Sequence, residues 1–588
     1  MFNSAEGFSD EKDLLLRFKE IICKIDPDII TGWNVIDFDM KILKERFGVH
    51  KIEFKLGRID WECKLRLSES FFVDSDADIP GRVVLDGIHL TKVSFIKLPD
   101  YKLSTASKVI LGDDKTISST SRWQEIEKYY KENPQKLIDY NLKDAELAYN
   151  IVKKSNMIEL TIKRSMLTRM QLDRVNASIA SFDSLYLKEL QKIGVVASTA
   201  IVNESDERIK GGYVMEPNPG IYDYIVVLDF KSLYPSIIRT FNIDPLDHIS
   251  KKDVHKYKSS EIIKSPNGAF FKNAEGILPK LIKEISEQRE LAKRNKDLLG
   301  SNAIKILMNS LFGVIANPAC RFYSLDIANA ITHFGQFLIK LSSNKIKELN
   351  YDVVYGDTDS IFVNLHIDDY GSAMERGKYV AGYINSFLMR YIRKEYDRES
   401  HLELEFEKVF KKLLLPKMRG ELGGAKKRYA GIIERDGKDV IDFTGMEFIR
   451  RDWTEVAKKF QQEILMMIFR GEKVEDYVKG FVEDIKAGKY DELLVYKKAI
   501  RKSVDSYTKT TPPHIQAARK IGRLDVGIIE YYQTVNGPET VESRKSKIDY
   551  EHYIEKQIKP IADSVLVFFN KSFDELVKGC KQYNLLEF

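Results

Sequence analysis

The chain has 588 residues, 43% hydrophobic and 31% charged, with a formal net charge of +5, which allows three or four domain-sized units with ordinary cores. It contains no uninterrupted apolar run of bilayer length and no signal-peptide pattern, which argues for a cytoplasmic chain with no membrane partner. The four cysteines, Cys23, Cys63, Cys320 and Cys580, form no C-x-x-C pair, and the nine histidines show no H-E-x-x-H spacing. Zinc ribbons, iron–sulfur clusters and disulfide frameworks are therefore disfavoured, and the cysteines read as small buried hydrophobes.

Residues 1–155 read as mixed α/β. An amphipathic helix over 11–24 is followed by a strand-like run, 28–33, that leads to Asn34 and Asp39. Loops rich in Ser, Thr and Asp fall at 74–78 and 116–121. Residues 156–210 form a helical connector, with its helical pattern over 158–193. In 211–275 an apolar strand, 224–228, ends on Asp229. Residues 276–318 have helical periodicity broken near Leu299-Gly300-Ser301, which predicts an antiparallel helix hairpin. Residues 319–450 carry a strand–turn–strand pattern around Tyr355 to Ser360. From 451 to 588 the chain reads as mostly helical and basic, with a break at Thr511-Pro-Pro-His514. Cations cluster at 293–296, at 426–429 and over 497–520. A solvated helix face explains any one of these, whereas a polyanion partner explains all three.

Two segments carry the chemistry. One is Val226-Val-Leu-Asp229-Phe-Lys-Ser-Leu-Tyr234-Pro-Ser236, and the other is Val353-Val-Tyr-Gly-Asp357-Thr-Asp359-Ser-Ile-Phe-Val363. Asp357 and Asp359 are two apart among strand-forming residues, a spacing that puts both on one face unless a turn splays them. In isolation they read as turn aspartates. A second apolar strand ending on Asp229 changes that reading, because clustered carboxylates repel unless cations lie between them, and such oxygen sets suit Mg²⁺. Two-metal phosphoryl transfer needs this arrangement, with ions about 3.5–4 Å apart.

These two segments resemble motifs A and C of the family B DNA polymerases. The resemblance implies an α+β multidomain fold, a right hand of palm, fingers and thumb, joined to an RNase H-like 3′–5′ exonuclease domain. It implies that Asp229 and Asp359 ligate two Mg²⁺ ions (Mn²⁺ as a substitute), that Asp357 supports them, and that Tyr234 excludes a ribose 2′-OH. Primer–template DNA and dNTPs are the implied substrates. Lys305-Ile-Leu-Met-Asn309-Ser-Leu-Phe312-Gly313 is similar to motif B, with Phe312 where Tyr is usual; Arg289 and Lys293 match its partner helix. Each pair is four apart, on one helix face, and the four donors would hold a triphosphate. No G-x-x-x-x-G-K-[ST] motif is present, which disfavours a P-loop motor.

Lys426-Lys427-Arg428-Tyr429 resembles the family's basic motif at the primer end, and Gly211-Gly212-Tyr213 its segment between exonuclease and polymerase. Both imply sequence-independent duplex contacts. Stretches at 237–241, 512–514, 536–539 and 549–553 are similar to bacterial members of the family. The last residues form Q-x-x-L-x-x-F, with Gln582, Leu585 and Phe588 matching a sliding-clamp-binding tail; the bland reading is a frayed amphipathic helix.

The exonuclease pattern is incomplete. Asp39 represents its second segment, and Tyr140 and Asp144 its third. An Asp-x-Glu ahead of these is absent, and Asp60-Trp61-Glu62 falls in the wrong chain order and reads as surface charge. The chain is thus expected to proofread poorly and to expose a sheet edge. A separate polypeptide completing the domain and a shortened chain both fit. The rival readings of the whole are a catalytically silent nucleic-acid scaffold, against which the complete set of polymerase acids argues, and an RNA-synthesising enzyme, against which Tyr234 argues.

Overall fold

Asp10 caps the first helix, Glu11–Ile25, by accepting a hydrogen bond from the Lys12 amide, and Asp26 ends it in a left-handed conformation. The computed structural model describes residues 5–579 apart from 69–73, 95, 97, 99, 113–121, 201–208, 210, 419–422, 501–503, 505–506, 508–510 and 523–526. The expected clamp-binding residues Gln582, Leu585 and Phe588 lie outside the described residues, as does Cys580. Cys63 and Cys320 are buried as expected, but Cys23 is exposed on the first helix. The chain divides into two units, one of Met1–Glu204 with Leu281–Tyr323, the other of Ser205–Lys280 with Ser324–Phe588.

In the first unit, strands β1 (Ile29–Gly32), β2 (Lys64–Arg66), β3 (Asp76–Ile79) and β4 (Arg82–Asp86) form a sheet in the order β1-β4-β3-β2. β1 runs parallel to β4 and stands at one end of the sheet. A π-helical turn, Val35–Met40, follows β1 and runs into the helix Lys41–Val49. Asp86 at the end of β4 is buried and accepts hydrogen bonds from the amides of Asn34, Ile36 and Ile88. It therefore pins the turn that carries Asp39.

The helical pattern over 158–193 resolves into two helices, Met157–Thr168 and Ser178–Lys192, because Arg169 adopts a left-handed φ of 60° and a short turn, Leu172–Arg174, follows. Both pack on the helix Leu298–Ile315. That helix is long and apolar enough to cross a membrane by average composition, although Ser301, Asn302, Lys305, Asn309 and Ser310 interrupt its apolar run. Its apolar stripe, which includes Ala303, Leu307 and Leu311, is buried within this unit, while Lys305 and Asn309 face outward. The break before it comes earlier than 299–301. Helix Ile277–Arg294 ends ahead of Lys296, which is left-handed, and Asp297 starts the next helix by accepting from the Gly300 amide. Gly300 is thus inside a first turn, where a Cβ would lie 2.5 Å from the Asp297 carboxylate.

The second unit is built on strands β5 (Gly220–Phe230), β9 (Asp352–Asp357), β10 (Ser360–Asn364), β11 (Leu404–Leu415), β12 (Tyr429–Arg435) and β13 (Lys438–Thr444); three short strands, β6 (His248–Ile249), β7 (Ile262–Lys264) and β8 (Phe270–Lys272), form a separate sheet. The six-stranded sheet is antiparallel throughout, in the order β13-β12-β11-β5-β10-β9. β5 is central, and its run Ile225–Leu228 is buried on both faces, as its unbroken apolar stretch requires. Helix Tyr370–Tyr396 packs on β5 and β11, and helix Leu325–Lys347 on β9.

Residues after 451 contain helices Glu455–Phe469, Glu475–Lys486 and Lys559–Leu566. They also contain a sheet of β14 (Tyr496–Ile500), β15 (Gly527–Thr534) and β16 (Gly537–Thr540), so the reading as mostly helical was incomplete. The buried ends of β14, Tyr496 and Ile500, are four apart, a spacing that fits a helix and a strand equally well.

Glu447, only 1% exposed, pairs with Arg428 just before β12 and accepts a hydrogen bond from Gln461 on the helix Glu455–Phe469. Gln461 in turn accepts from the Phe448 amide at 2.7 Å. Removing the acid leaves a largely buried guanidinium without its counter-charge, so Glu447→Ala is expected to destabilise this unit by about 3 kcal/mol or more, and Glu447→Gln by less. Urea unfolding followed by tryptophan fluorescence checks the order.

Candidate active site on the six-stranded sheet

Asp229, next to last in β5, has its backbone clamped on both sides, opposite Ser360 of β10 and Glu405 of β11. β9 and β10 are joined through Thr358 and Asp359. Thr358 sits at a φ of 59°, a costly conformation for a β-branched residue. It is held there by its amide, which donates to the Tyr213 carbonyl at 2.8 Å, and by its hydroxyl, which donates to Asp357 at 2.9 Å. The Phe230 amide donates to the Asp359 carbonyl at 2.9 Å. The register thus brings the end of β5 and the β9–β10 turn side by side, and with them Asp229 and Asp359.

The electrostatics record that proximity. Burial first, then the neighbouring charges of Asp359, Glu407 and Glu405, pushes the Asp229 carboxyl up to about 7; a hydrogen bond from Ser360 works in the opposite direction. Asp359 is raised by burial and by Asp357 and Glu407, with Lys427 opposing. The pair is short of positive charge. Asp357 has a counter-charge of its own. Its carboxylate forms an ion pair with Lys427 and accepts from Tyr355. The Lys427 amide donates to the Tyr355 hydroxyl at 2.9 Å.

Among the described residues no three acidic, histidine or cysteine side chains converge as a closed metal cage. Two carboxylates completed by substrate oxygens and water are what a magnesium site in phosphoryl transfer uses, so the donor set fits a hard divalent cation.

Two acids escaped the sequence reading. Glu405 lies across from Asp229 and is paired with Lys231 at 3.3 Å. Glu407 is the extra residue where the β11–β5 register shifts between Phe406 and Lys408. The only available signal was the alternation Glu403-x-Glu405-x-Glu407, which is unremarkable without the pairing partner.

Tyr234 is the second residue of the helix Leu233–Thr240, after Ser232 bends the chain at a left-handed φ of 49°. Burial and the nearby Asp359 raise its hydroxyl pKa. Segment 211–215 runs beside the β9–β10 turn. Val214 bridges to Asp357, Met215 donates to the Gly356 carbonyl at 2.8 Å, and Gln336 donates to that of Gly211 at 3.1 Å. Lys340 stands over the Tyr213 ring.

The basic motif divides in two. Lys426 pairs with Glu216 at 3.1 Å and Lys427 with Asp357, both at the surface. Arg428 turns inward to Glu447, and Tyr429 packs among Tyr355, Phe362 and Phe410. In the first unit Lys293 pairs with Glu290, and the Arg289 Nε is buried without a partner. Lys305 and Asn309 are exposed. Asp39 is raised by burial and by Asp86, and Tyr140 and Asp144 lie on the helix Pro134–Lys154, which packs against β1. Asp60 is an exposed partner of Lys55, as surface charge should be.

The family model for DNA polymerase family B matches residues 170–567, and the model for its exonuclease domain matches residues 6–106. The chain is 35% identical to DNA polymerase II of Escherichia coli K12 over 98% of its own length and 74% of that protein. It is 29% identical to the DNA polymerases of Desulfurococcus sp. Tok and of Thermococcus gorgonarius, in each case over 97% of this chain and 74% of the relative. The chain belongs to DNA polymerase family B.

Proposed function

We propose that this family B DNA polymerase adds deoxynucleotides to a primer 3′-OH by two-metal phosphoryl transfer at Asp229 and Asp359. The observation that carries this reading is the charge deficit of that pair, two carboxylates brought side by side by strand register, with Asp229 raised by burial and the charge of Asp359, and Asp359 by burial and the charge of Asp357. Two divalent cations, Mg²⁺ first and Mn²⁺ as a substitute, would supply activation of the attacking oxygen and charge neutralisation of the leaving one. Asp229 and Asp359 hold them. Asp357 braces the turn through Thr358 and Lys427. Tyr234 fills the place a 2′-hydroxyl would need. Arg289, Lys293, Lys305 and Asn309 bind the triphosphate. Lys426, Lys427 and segment 211–213 grip the primer–template through its backbone, while Arg428 and Tyr429 hold the strand that presents them.

Proofreading by this chain is weak on the same reading. Asp86, the acid that shifts Asp39, is occupied by three backbone amides, so Asp39 gains no second ligand from it. A separate chain that supplies further acids would restore the activity.

Primer extension with Mg²⁺ and dNTPs should be lost by about a thousandfold or more in Asp359→Ala. A 5′-labelled primer with a mismatched 3′ end should not shorten. Shortening that persists in Asp359→Ala would contradict the account of the exonuclease, and wild-type protein that extends nothing would favour the silent scaffold.

The raised Asp229 carboxyl has a second consequence. Its folded-state pKa, about 7, lies above the ordinary 3.8, so the metal-free fold binds the extra proton and loses stability as pH rises through that interval. With EDTA present, Asp229→Asn is therefore expected to melt several degrees higher than wild type at pH 8 and at the same temperature at pH 4. Differential scanning fluorimetry reads both.

A further inference from the structure

Two adjacent glycines, Gly211 and Gly212, stand beside the catalytic turn, and neither adopts a backbone conformation that only glycine favours. Their surroundings differ. A Cβ on Gly211 would meet nothing within 4 Å, whereas one on Gly212 would lie 2.8 Å from Thr358 Cγ2, 3.0 Å from Thr358 Oγ1 and 3.2 Å from the Tyr234 hydroxyl. Gly212 is glycine because of what touches it.

Neither neighbour retreats freely. Thr358 is fixed by its amide bond to the Tyr213 carbonyl and its hydroxyl bond to Asp357. The Tyr234 ring has its other edge against Gly335, where an added Cβ would stand in ordinary contact, 3.5 Å from Cε1. Segment 211–215 is itself held by Gln336, by Met215 to Gly356 and by the bridge from Val214 to Asp357. The Tyr234 hydroxyl thus occupies a seat whose wall is the backbone of Gly212, on a segment laced to the same turn that carries Asp359.

We propose that Gly212 is a specificity-determining residue: its missing side chain sets where the Tyr234 hydroxyl stands, and through it how strongly a ribose 2′-hydroxyl is refused. The proposal rests on the reading of Tyr234 as the sugar gate. It assigns to one of the two glycines a task in sugar selection, apart from any contact of the segment with the duplex.

The test measures kcat/KM for one deoxynucleotide and its ribonucleotide counterpart with the full chain, a fixed primer–template and Mg²⁺. The ratio of the two cancels losses in folding or DNA affinity, which lower both. Gly212→Ala should reduce the ratio by about tenfold, equivalent to about 1.4 kcal/mol. Gly211→Ala should leave the ratio within about twofold even where duplex binding weakens. In a Tyr234→Phe background, which removes the atom 3.2 Å away, Gly212→Ala should change the ratio by less than about threefold. Should Gly212→Ala fail to fold, Gly212→Ala with Thr358→Ser, which removes the methyl at 2.8 Å, carries the same expectation. Tyr234→Ala separates the two readings. If it leaves the ratio intact, the gate itself is wrong and the inference falls with it. If it collapses the ratio while Gly212→Ala leaves it unchanged or raises it, the gate stands and the role of Gly212 is overturned. A loss in Gly212→Ala that persists in full in the Tyr234→Phe background also overturns it, because the effect then does not pass through the hydroxyl.

Discussion

Repulsion between Asp229 and Asp359 is the constraint around which the second unit is arranged. Left to themselves, two half-buried carboxylates separate or take up a proton. Here they do not separate, because each ends a stretch of backbone whose position is set by pairing along the sheet. β5 is flanked by β10 and β11, with Ser360 and Glu405 opposite Asp229, and the apolar side chains of Ile225–Leu228 secure the strand by burial. The cost of the arrangement shows in the raised Asp229 carboxyl, and a divalent cation would relieve it. A site that is strained without its cofactor is a common signature of function.

Around that pair, the neighbouring residues have each been given a counter-charge or a seat. Lys427 neutralises Asp357, Lys231 neutralises Glu405, and the Tyr234 hydroxyl stands against Gly212. Lys427 carries a double assignment on the proposed reading, since it pairs with Asp357 and belongs to the motif proposed to meet the duplex. Its amide also donates to the Tyr355 hydroxyl, so on that reading duplex binding and the geometry of the β9–β10 turn would share a residue. The buried Glu447 anchors the same loop from the other side through Arg428.

Much of this was legible in the sequence because the relevant signals are local. An apolar run ending on Asp229, and Asp357-Thr-Asp359 between two β-rich stretches, announce their strands without reference to any partner. The strand bearing Glu405 and Glu407 did not announce its role, since which acids face Asp229 depends on a register and a bulge more than 170 residues away in the chain. The same holds for Gly212, whose reason to be glycine is a contact with Thr358 and Tyr234 that no local pattern encodes. Sheet β14–β16 was missed for another reason, as its Tyr496 and Ile500 satisfy both periodicities. The helix break near 300 was misplaced because Gly300 looks like a terminator, whereas Asp297 makes it the inside of a first turn.

The most direct test is Mn²⁺ binding to the free protein, followed by electron paramagnetic resonance of unbound Mn²⁺ across pH 5.5 to 8.5 in wild type, Asp229→Asn and Asp359→Asn. The account predicts that wild-type affinity climbs through about pH 7 as Asp229 releases its proton, and that either substitution removes both the binding and its pH dependence. Binding of equal strength in wild type and Asp229→Asn, with no dependence on pH, would show that the two carboxylates are not a metal site.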